Sequence, residues 1–383
     1  MRRRCALWGA CVIALGACGA QEVLEVAGAG EEPVGFAVVC SDYVSSQVAL
    51  MGPDGLSLAA DALIHSGSQR ANIALSLSGD VVLPSVHSSG DQALLIDRTH
   101  GVLTWVDLQS AAVTRQLVTA DSFAANPHDV NERDDGSVLV TRYGSQAGHD
   151  GLGDDVAVFD ADGSLRQRIT FPVQPGVAAR PDRMVPFGED LIVSLNHGAA
   201  DYSGWEAGRY ARLRSTQGEW AVEQDWLVPE LSNCGGLAVH GNAVALVCTG
   251  DFDGGQPVGD ASGVLLTDAS GQETARLLGS DLRVGGAFAP AVALRDGAVW
   301  LVRFGEQGGR GDQVLRWSPG DDQVETLLEV EDAFAIDALA ASPGAGLLVP
   351  VGAPEDPRLC AWNSEGWLCG VVCSESGLPP RSL

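Results

Sequence analysis

The chain has no lysine. All 23 of its basic residues are arginine, set against 50 aspartates and glutamates, for a formal charge of −27 over 383 residues. Neutralising a phosphate backbone needs clustered cations, so this balance argues against nucleic acid as a partner. Amphipathic helix signals are also missing: no window of a dozen residues keeps apolar positions at three- and four-residue spacing without an interrupting Gly or Pro. Past residue 17 no apolar run approaches the length of a membrane-spanning helix. The seven histidines are scattered, with no HxH and no pair at helical spacing, which argues against a copper or zinc centre. No GxSxG elbow, phosphate loop or dinucleotide fingerprint occurs.

What is present begins with Met1-Arg2-Arg3-Arg4, an apolar run from Cys5 to Ala17, and the tetrapeptide Leu15-Gly16-Ala17-Cys18. A positive start, a short apolar stretch and small residues before a cut make a secretory signal, and this run is too short to span a bilayer. The tetrapeptide resembles the bacterial lipobox, which implies cleavage after Ala17 and lipidation (palmitate among the acyl chains) of Cys18. Residues 1–17 are then signal peptide, and 18–33 a lipidated cysteine with a Gly/Glu-rich tether. An acidic body repels anionic head groups, so membrane attachment rests on acyl chains, each buried methylene contributing about 0.8 kcal/mol. Gly19 lacks the aspartate that resembles an inner-membrane retention signal. The expectation is an exported protein anchored to the cell envelope at the outer membrane.

A short apolar strand recurs seven times, at Gly35 to Cys40, Val81 to Val86, Val138 to Gly144, Leu191 to Asn196, Ala243 to Cys248, Ala298 to Gly305 and Gly346 to Gly352, with starts 46 to 57 residues apart. Six copies follow a turn signal such as DDGS or RDG. Downstream of each lies a second hairpin, centred on GPDG, DLQS, DADG, STQG, DASG, SPGD and NSEG in turn. Four antiparallel strands in about fifty residues is the signature of a propeller blade, and such blades bury their faces only by stacking around an axis. The predicted fold is therefore all-β, a seven-bladed β-propeller of four-stranded antiparallel blades over residues 34–375, with 376–383 drawn as a C-terminal tail. Two stacked β-sandwiches explain the strands but not the period. Ring closure stays open: Glu22 to Val26 supplies a strand, or the segment after Cys373 pairs with the first blade, or that blade has three strands.

Outside the signal and Cys18 there are six cysteines, an even count that favours three disulfides in an exported protein. Cys234 and Cys248 flank one predicted hairpin and Cys360 and Cys369 another, which allows cross-strand bridges. Cys40 and Cys373 remain, and a bond between them joins the two ends of the ring.

Long loops gather on the face shared by the d-to-a links and b-to-c loops, whereas the opposite face has tight turns; binding residues concentrate on such loops. The inner strands begin at NPHDV, RPDRM, NCGGL and AIDAL, which places His128, Asp129, Asp182, Arg183 and Asp337 near the channel mouth. His128 and Asp129 are adjacent on a strand and point to opposite faces, so at best one looks into the channel. Asp251, Asp253 and Asp260, or Asp150, Asp154 and Asp155, offer hard oxygens of the kind calcium takes; otherwise no cofactor is expected. Tyr202, Trp205, Tyr210, Trp220 and Trp226 cluster in the fourth unit, with Trp220 and Trp226 assigned to packing.

The units resemble the seven-bladed propellers of bacterial surface proteins, the YVTN and YncE-like group, within the broader NHL/WD40-like propellers. The carrying residues are a strand b followed by an aspartate-bearing hairpin, as in LVTRYG with VAVFDADGSLRQRI and in LLIDRTHGVLTWVDLQSAAVTRQLV. No YVTN tetrapeptide and no regular WD ending occurs. The resemblance implies a surface-displayed binding platform, and the expectation is a lipid-anchored monomer that binds a protein, peptide or glycan through the long-loop face. Two alternatives are carried forward: a calcium-dependent lactonase- or esterase-like hydrolase using Asp129, Asp182 and Asp337, and an envelope-assembly scaffold.

Overall fold

Alternate residues of a strand face opposite ways, so a strand buried on both sides reads as an unbroken apolar run. Strand Val138–Arg142 is such a case. Val138 and Val140 pack with Leu94 and Trp105 on one side, and Leu139 packs with Leu191 and Trp220 on the other. The same division runs around the whole molecule and gives each pair of neighbouring blades its own core.

The computed structural model describes residues 35–383 apart from 87–90, 121–122, 145–152, 254–255, 282, 321–322, 343–345, 354 and 364. The signal peptide, Cys18 and the tether lie outside the described residues. Regular structure among the described residues is strand, in seven four-stranded antiparallel sheets arranged as a β-propeller, with two small ribbons, Val177–Ala178 with Gly198–Ala199 and Phe252–Asp253 with Gln256–Pro257. Strands are lettered a to d from the channel outward. In blade 3 they are Pro127–Glu132, Val138–Arg142, Asp155–Phe159 and Leu165–Thr170.

Six of the seven apolar runs are strand b of their blades, and every predicted downstream hairpin joins strands c and d. The exception is Val81 to Val86. Only Val81–Val82 is strand, it is the innermost of blade 2, and Gln92–Asp97 is strand b. Pro84 has no N–H to donate, so the run does not propagate as a central strand.

Closure corrects a second expectation. Residues 376–383 are not a tail: Pro380–Ser382 is strand a of blade 1 and pairs antiparallel with strand b, Phe36–Ser41. Of the three routes left open, the chain takes pairing of the segment after Cys373 with the first blade. The disulfide Cys40–Cys373 spans 333 residues across this seam, while Cys234–Cys248 and Cys360–Cys369 staple blades 5 and 7 as expected. The seam needs such help, because the apolar core between blades 7 and 1 is split into two small clusters. Polar contacts extend it: Leu83 N–H donates to Ser382 Oγ at 3.0 Å, and Asp61 accepts from the backbone N–H groups of Ser374 and Glu375.

Links between blades are held by buried carboxylates. Asp312 accepts from the N–H groups of Gly305, Phe334, Ala335 and Ile336, and Asp154 from those of Ala179 and Arg180. Each caps the start of the next inner strand, satisfying amides that would otherwise be buried unpaired.

Candidate functional site

Seven backbone hydrogen bonds define the mouth of the channel. In every blade a carbonyl ahead of strand a accepts from an N–H at or just after the end of strand b: Pro379 from Ser41, Asp80 from Arg98, Asn126 from Tyr143, Arg180 from Asn196, Asn233 from Thr249, Ala287 from Phe304 and Ala335 from Gly352, at 2.6 to 3.1 Å. Asn126, Arg180 and Asn233 reach this geometry with φ between 44° and 56°, the left-handed turn that swings the chain into the channel. Two residues further on, around the ring, stand Arg381, Val82, His128, Asp182, Gly235, Ala289 and Asp337; Arg381, Asp182, Gly235 and Asp337 line the opening, whereas Val82 packs into the core between blades 2 and 3 and Ala289 into that between blades 6 and 7.

Charged members of this ring pair across blade boundaries. His128 Nδ1 lies 2.9 Å from Asp182 Oδ1, and Asn196 Nδ2 donates to Asp182 Oδ2 at 2.7 Å. Tyr143 stacks flat on His128, with ring centroids 4.1 Å apart. On the other side Arg381 Nη1 donates to Asp337 at 2.6 Å and to Tyr43 Oη at 3.1 Å. Gly235, with no side chain, leaves room between the two pairs, and a cavity of about 520 Å³ opens there, walled by Tyr143, Asn196, Thr249, Phe252, Phe304 and Phe334. A second cavity of about 640 Å³ continues toward the tight-turn face along Val185, Leu237, Ala291 and Leu339.

The two carboxyls respond oppositely to this setting. Burial works against ionisation of Asp182, but the charge and hydrogen bond of His128, with Arg183 and Asn196, outweigh it and hold the carboxyl below the usual aspartate range. Enclosure pushes Asp337 up more than Arg381 draws it down, although 37% of its side-chain surface faces the channel. Burial also raises the Tyr143 hydroxyl. Asp182 therefore adds stability above the unfolded-chain value of about 3.9 and loses it as pH falls through its folded value, whereas Asp337 gives up stability as it ionises on rising pH. A ¹³C-carboxyl NMR titration is expected to find Asp337 titrating above an ordinary aspartate and Asp182 below one. The reverse order would contradict this arrangement.

Of the residues predicted at the mouth, His128, Asp182 and Asp337 sit on the ring. Asp129 does not: it is fully buried and accepts from the N–H groups of Ser85 in blade 2 and Met184 in blade 4, a staple across three blades, with its carboxyl pushed up by burial. The opposite-face rule for adjacent residues separates it from His128. Arg183 turns down the channel toward Ser85 Oγ, with Nε 4.0 Å from Asp182. Sequence reading missed Arg381, Asn196, Tyr143 and Gly235. A shared signal precedes three ring residues, since Pro127-His128, Pro181-Asp182 and Pro380-Arg381 all place proline just before the functional position.

The acidic loops contribute little to this mouth. Asp251 is exposed and accepts from Ser232 Oγ at 3.3 Å, Asp260 is exposed, and Asp253 lies in a two-residue strand, Phe252–Asp253. Asp150 lies outside the described residues; Asp154 is spent on the blade 4 link, and Asp155 is gripped by Arg142 and Arg168. Among the described residues no three His, Cys, Asp or Glu side chains are grouped to hold a metal ion. The fourth-unit aromatics divide as the packing argument requires. Trp220 is core, Trp226 stacks on Tyr210 at 4.7 Å, and Tyr202 and Trp205 enclose the buried Arg180, whose guanidinium lies 3.4 Å from the Tyr202 centroid.

The fold and mouth define a seven-bladed β-propeller with a polar, aromatic-walled opening on its loop face. No protein-family model matches the chain, and no curated protein matches it. Among solved structures it is similar to a Bacteroides uniformis protein assigned as a 6-phosphogluconolactonase (13% identity, 88% of this chain and 95% of that one, TM-score 0.55). It is also similar to the hydrazine synthase of Kuenenia stuttgartiensis (14%, 90% and 98%, 0.53) and to the dihydro-heme d1 dehydrogenase NirN (14%, 92% and 76%, 0.52). At such identities the likeness is one of fold alone.

Proposed function

We propose that the protein is exported, anchored through a lipidated Cys18 to the outer membrane, and serves there as a monomeric binding platform of the YVTN and YncE-like kind. Its ligand seats in the loop-face mouth of the channel. The observation that carries this reading is Asn196: it is 3% exposed, lines the 520 Å³ cavity, and its Oδ1 has no hydrogen-bond partner among the described residues. A buried polar atom left open at the wall of a cavity is a place prepared for a ligand atom. The formal charge of −27 keeps nucleic acid out of the reading.

The hydrolase reading keeps one favourable observation, the His128–Asp182 couple, which has acid/base geometry. Its proposed trio of ligands is dispersed, with Asp129 committed to backbone amides and Asp337 to Arg381. Calcium therefore remains attached to that second reading, and binding is the first.

Full-length protein in detergent, titrated against a panel of amines, sugars, carboxylates and short peptides, is expected to give at least one saturable, stoichiometric ligand. Binding should be lost in Thr249→Trp, which fills the mouth while far-UV circular dichroism stays unchanged. No saturable ligand across the panel would overturn the platform reading. Metabolic labelling with a clickable fatty acid should mark the wild type and not Cys18→Ala; equal labelling of both would overturn the anchor.

A further inference from the structure

We propose that the mouth recognises an organic ammonium group, the head of a primary alkylamine. This rests on the binding reading above and names its ligand class. Asp182 fixes the orientation of the Asn196 amide: Nδ2 must face the carboxylate it donates to at 2.7 Å, so Oδ1 faces the other way and is left unpaired. Both acceptors flank the space above Gly235. A Cβ there would stand 2.7 Å from Asp182 Oδ2 and 3.2 Å from Asn196 Oδ1, so glycine alone keeps this space open.

The wall sets two acceptors beside hydroxyl groups: Asp182 and Asn196 Oδ1 accept, one N–H of Asn196 Nδ2 goes to Asp182 and one of Asn233 Nδ2 to the Gly250 carbonyl at 3.3 Å, and Tyr43, Tyr143 and Thr249 add hydroxyls that can donate or accept. The one cation in the lining, Arg381, is neutralised by Asp337. An ammonium carries three donors and no acceptor, which suits the paired acceptors Asp182 and Asn196 Oδ1, whereas an anion would meet the Asp182 carboxylate. Phe252, Phe304 and Phe334 supply aromatic surface to the same cavity, and aromatic faces attract cations. The net charge of −27 raises the local concentration of cations around the opening.

The head group has two possible sources, a free amine or a lysine side chain of a peptide. Calorimetry on the full-length protein in detergent separates them, using n-butylammonium and Nα-acetyl-lysine amide, with 1-butanol and butyrate as neutral and anionic isosteres. The expected result is one-to-one binding of the ammonium compounds, roughly tenfold or more tighter than 1-butanol and weakened by added salt. The tighter of the two ammonium arms identifies the source. Asp182→Asn and Asn196→Leu should each weaken ammonium binding roughly tenfold or more. Phe252 is 45% exposed, so Phe252→Leu leaves the fold intact and should weaken the ammonium arm severalfold but not the alcohol. Ammonium binding no tighter than 1-butanol, or unmoved by Phe252→Leu and Asn196→Leu, overturns the proposal. A sugar or carboxylate that binds and is displaced by Thr249→Trp overturns the ammonium assignment and leaves the platform standing; silence from every class overturns both.

Discussion

Deleting residues 376–383 is expected to abolish the cooperative fold at ordinary temperature. The deletion removes strand a of blade 1, the Arg381–Asp337 ion pair and the Leu83–Ser382 hydrogen bond, and exposes a hydrogen-bonding edge of Phe36–Ser41. Blades 7 and 1 then keep the Cys40–Cys373 disulfide, the Asp61 contacts to Ser374 and Glu375, and the small clusters around Leu359 and Leu348, stripped of Leu378 and Leu383. A loss of about 5 kcal/mol or more is expected, on the order of the whole margin of a natural protein. Replacing both Cys40 and Cys373 by serine leaves those contacts in place and should cost less, about 2–5 kcal/mol. Denaturant midpoints of the two variants, read beside the wild type, decide the matter. A truncated chain with a wild-type midpoint would mean that blade 1 holds without its inner strand.

The second large effect concerns two arginines in equivalent places. Arg142 and Arg303 each end a strand b, each opposite the first residue of strand c, which is Asp155 in blade 3 and Gln313 in blade 6. The residue before it is the link-capping aspartate in both blades, Asp154 and Asp312. Arg142 makes a two-pronged pair with Asp155 at 2.6 and 2.7 Å. Arg303 is fully buried, and among the described residues none of its three side-chain nitrogens has a hydrogen-bond partner, because Gln313 turns to Glu329 instead. A lone buried cation is expensive, so Gln313→Asp, or Arg303→Met, is expected to raise stability by about 1–3 kcal/mol. Asp155→Asn recreates the isolated charge in blade 3 and should cost about 3–5 kcal/mol. Thermal and denaturant unfolding of the three variants test this; destabilisation by both blade 6 changes would show that Arg303 is satisfied in solution.

The blades were legible in the sequence because a strand buried on both faces leaves an apolar run that turn residues bracket on either side. Val81 to Val86 misled for the same reason: an inner strand cut short by Pro84 resembles a strand b, while the actual strand b, QALLID, starts and ends polar. The mouth was half legible. His128, Asp182 and Asp337 follow from counting into the inner strands, but Asn196 and Tyr143 belong to the residues after strand b, and only the backbone bonds between the two series bring them together. Arg381 escaped because its strand lies beyond the last cysteine, nearly the whole chain away from its partner strand.

Each side chain around the mouth stands on a peptide bond whose partner does not depend on what that side chain is. A substitution at Asp182 or Asp337 therefore alters what the opening displays without touching the backbone bonds that hold the sheets in register, whereas Val82 and Ala289 are committed to the cores between blades. The rim behaves like a combination lock whose dials stand in only some of the blades. Specificity on this scaffold is thus free to drift faster than the architecture beneath it.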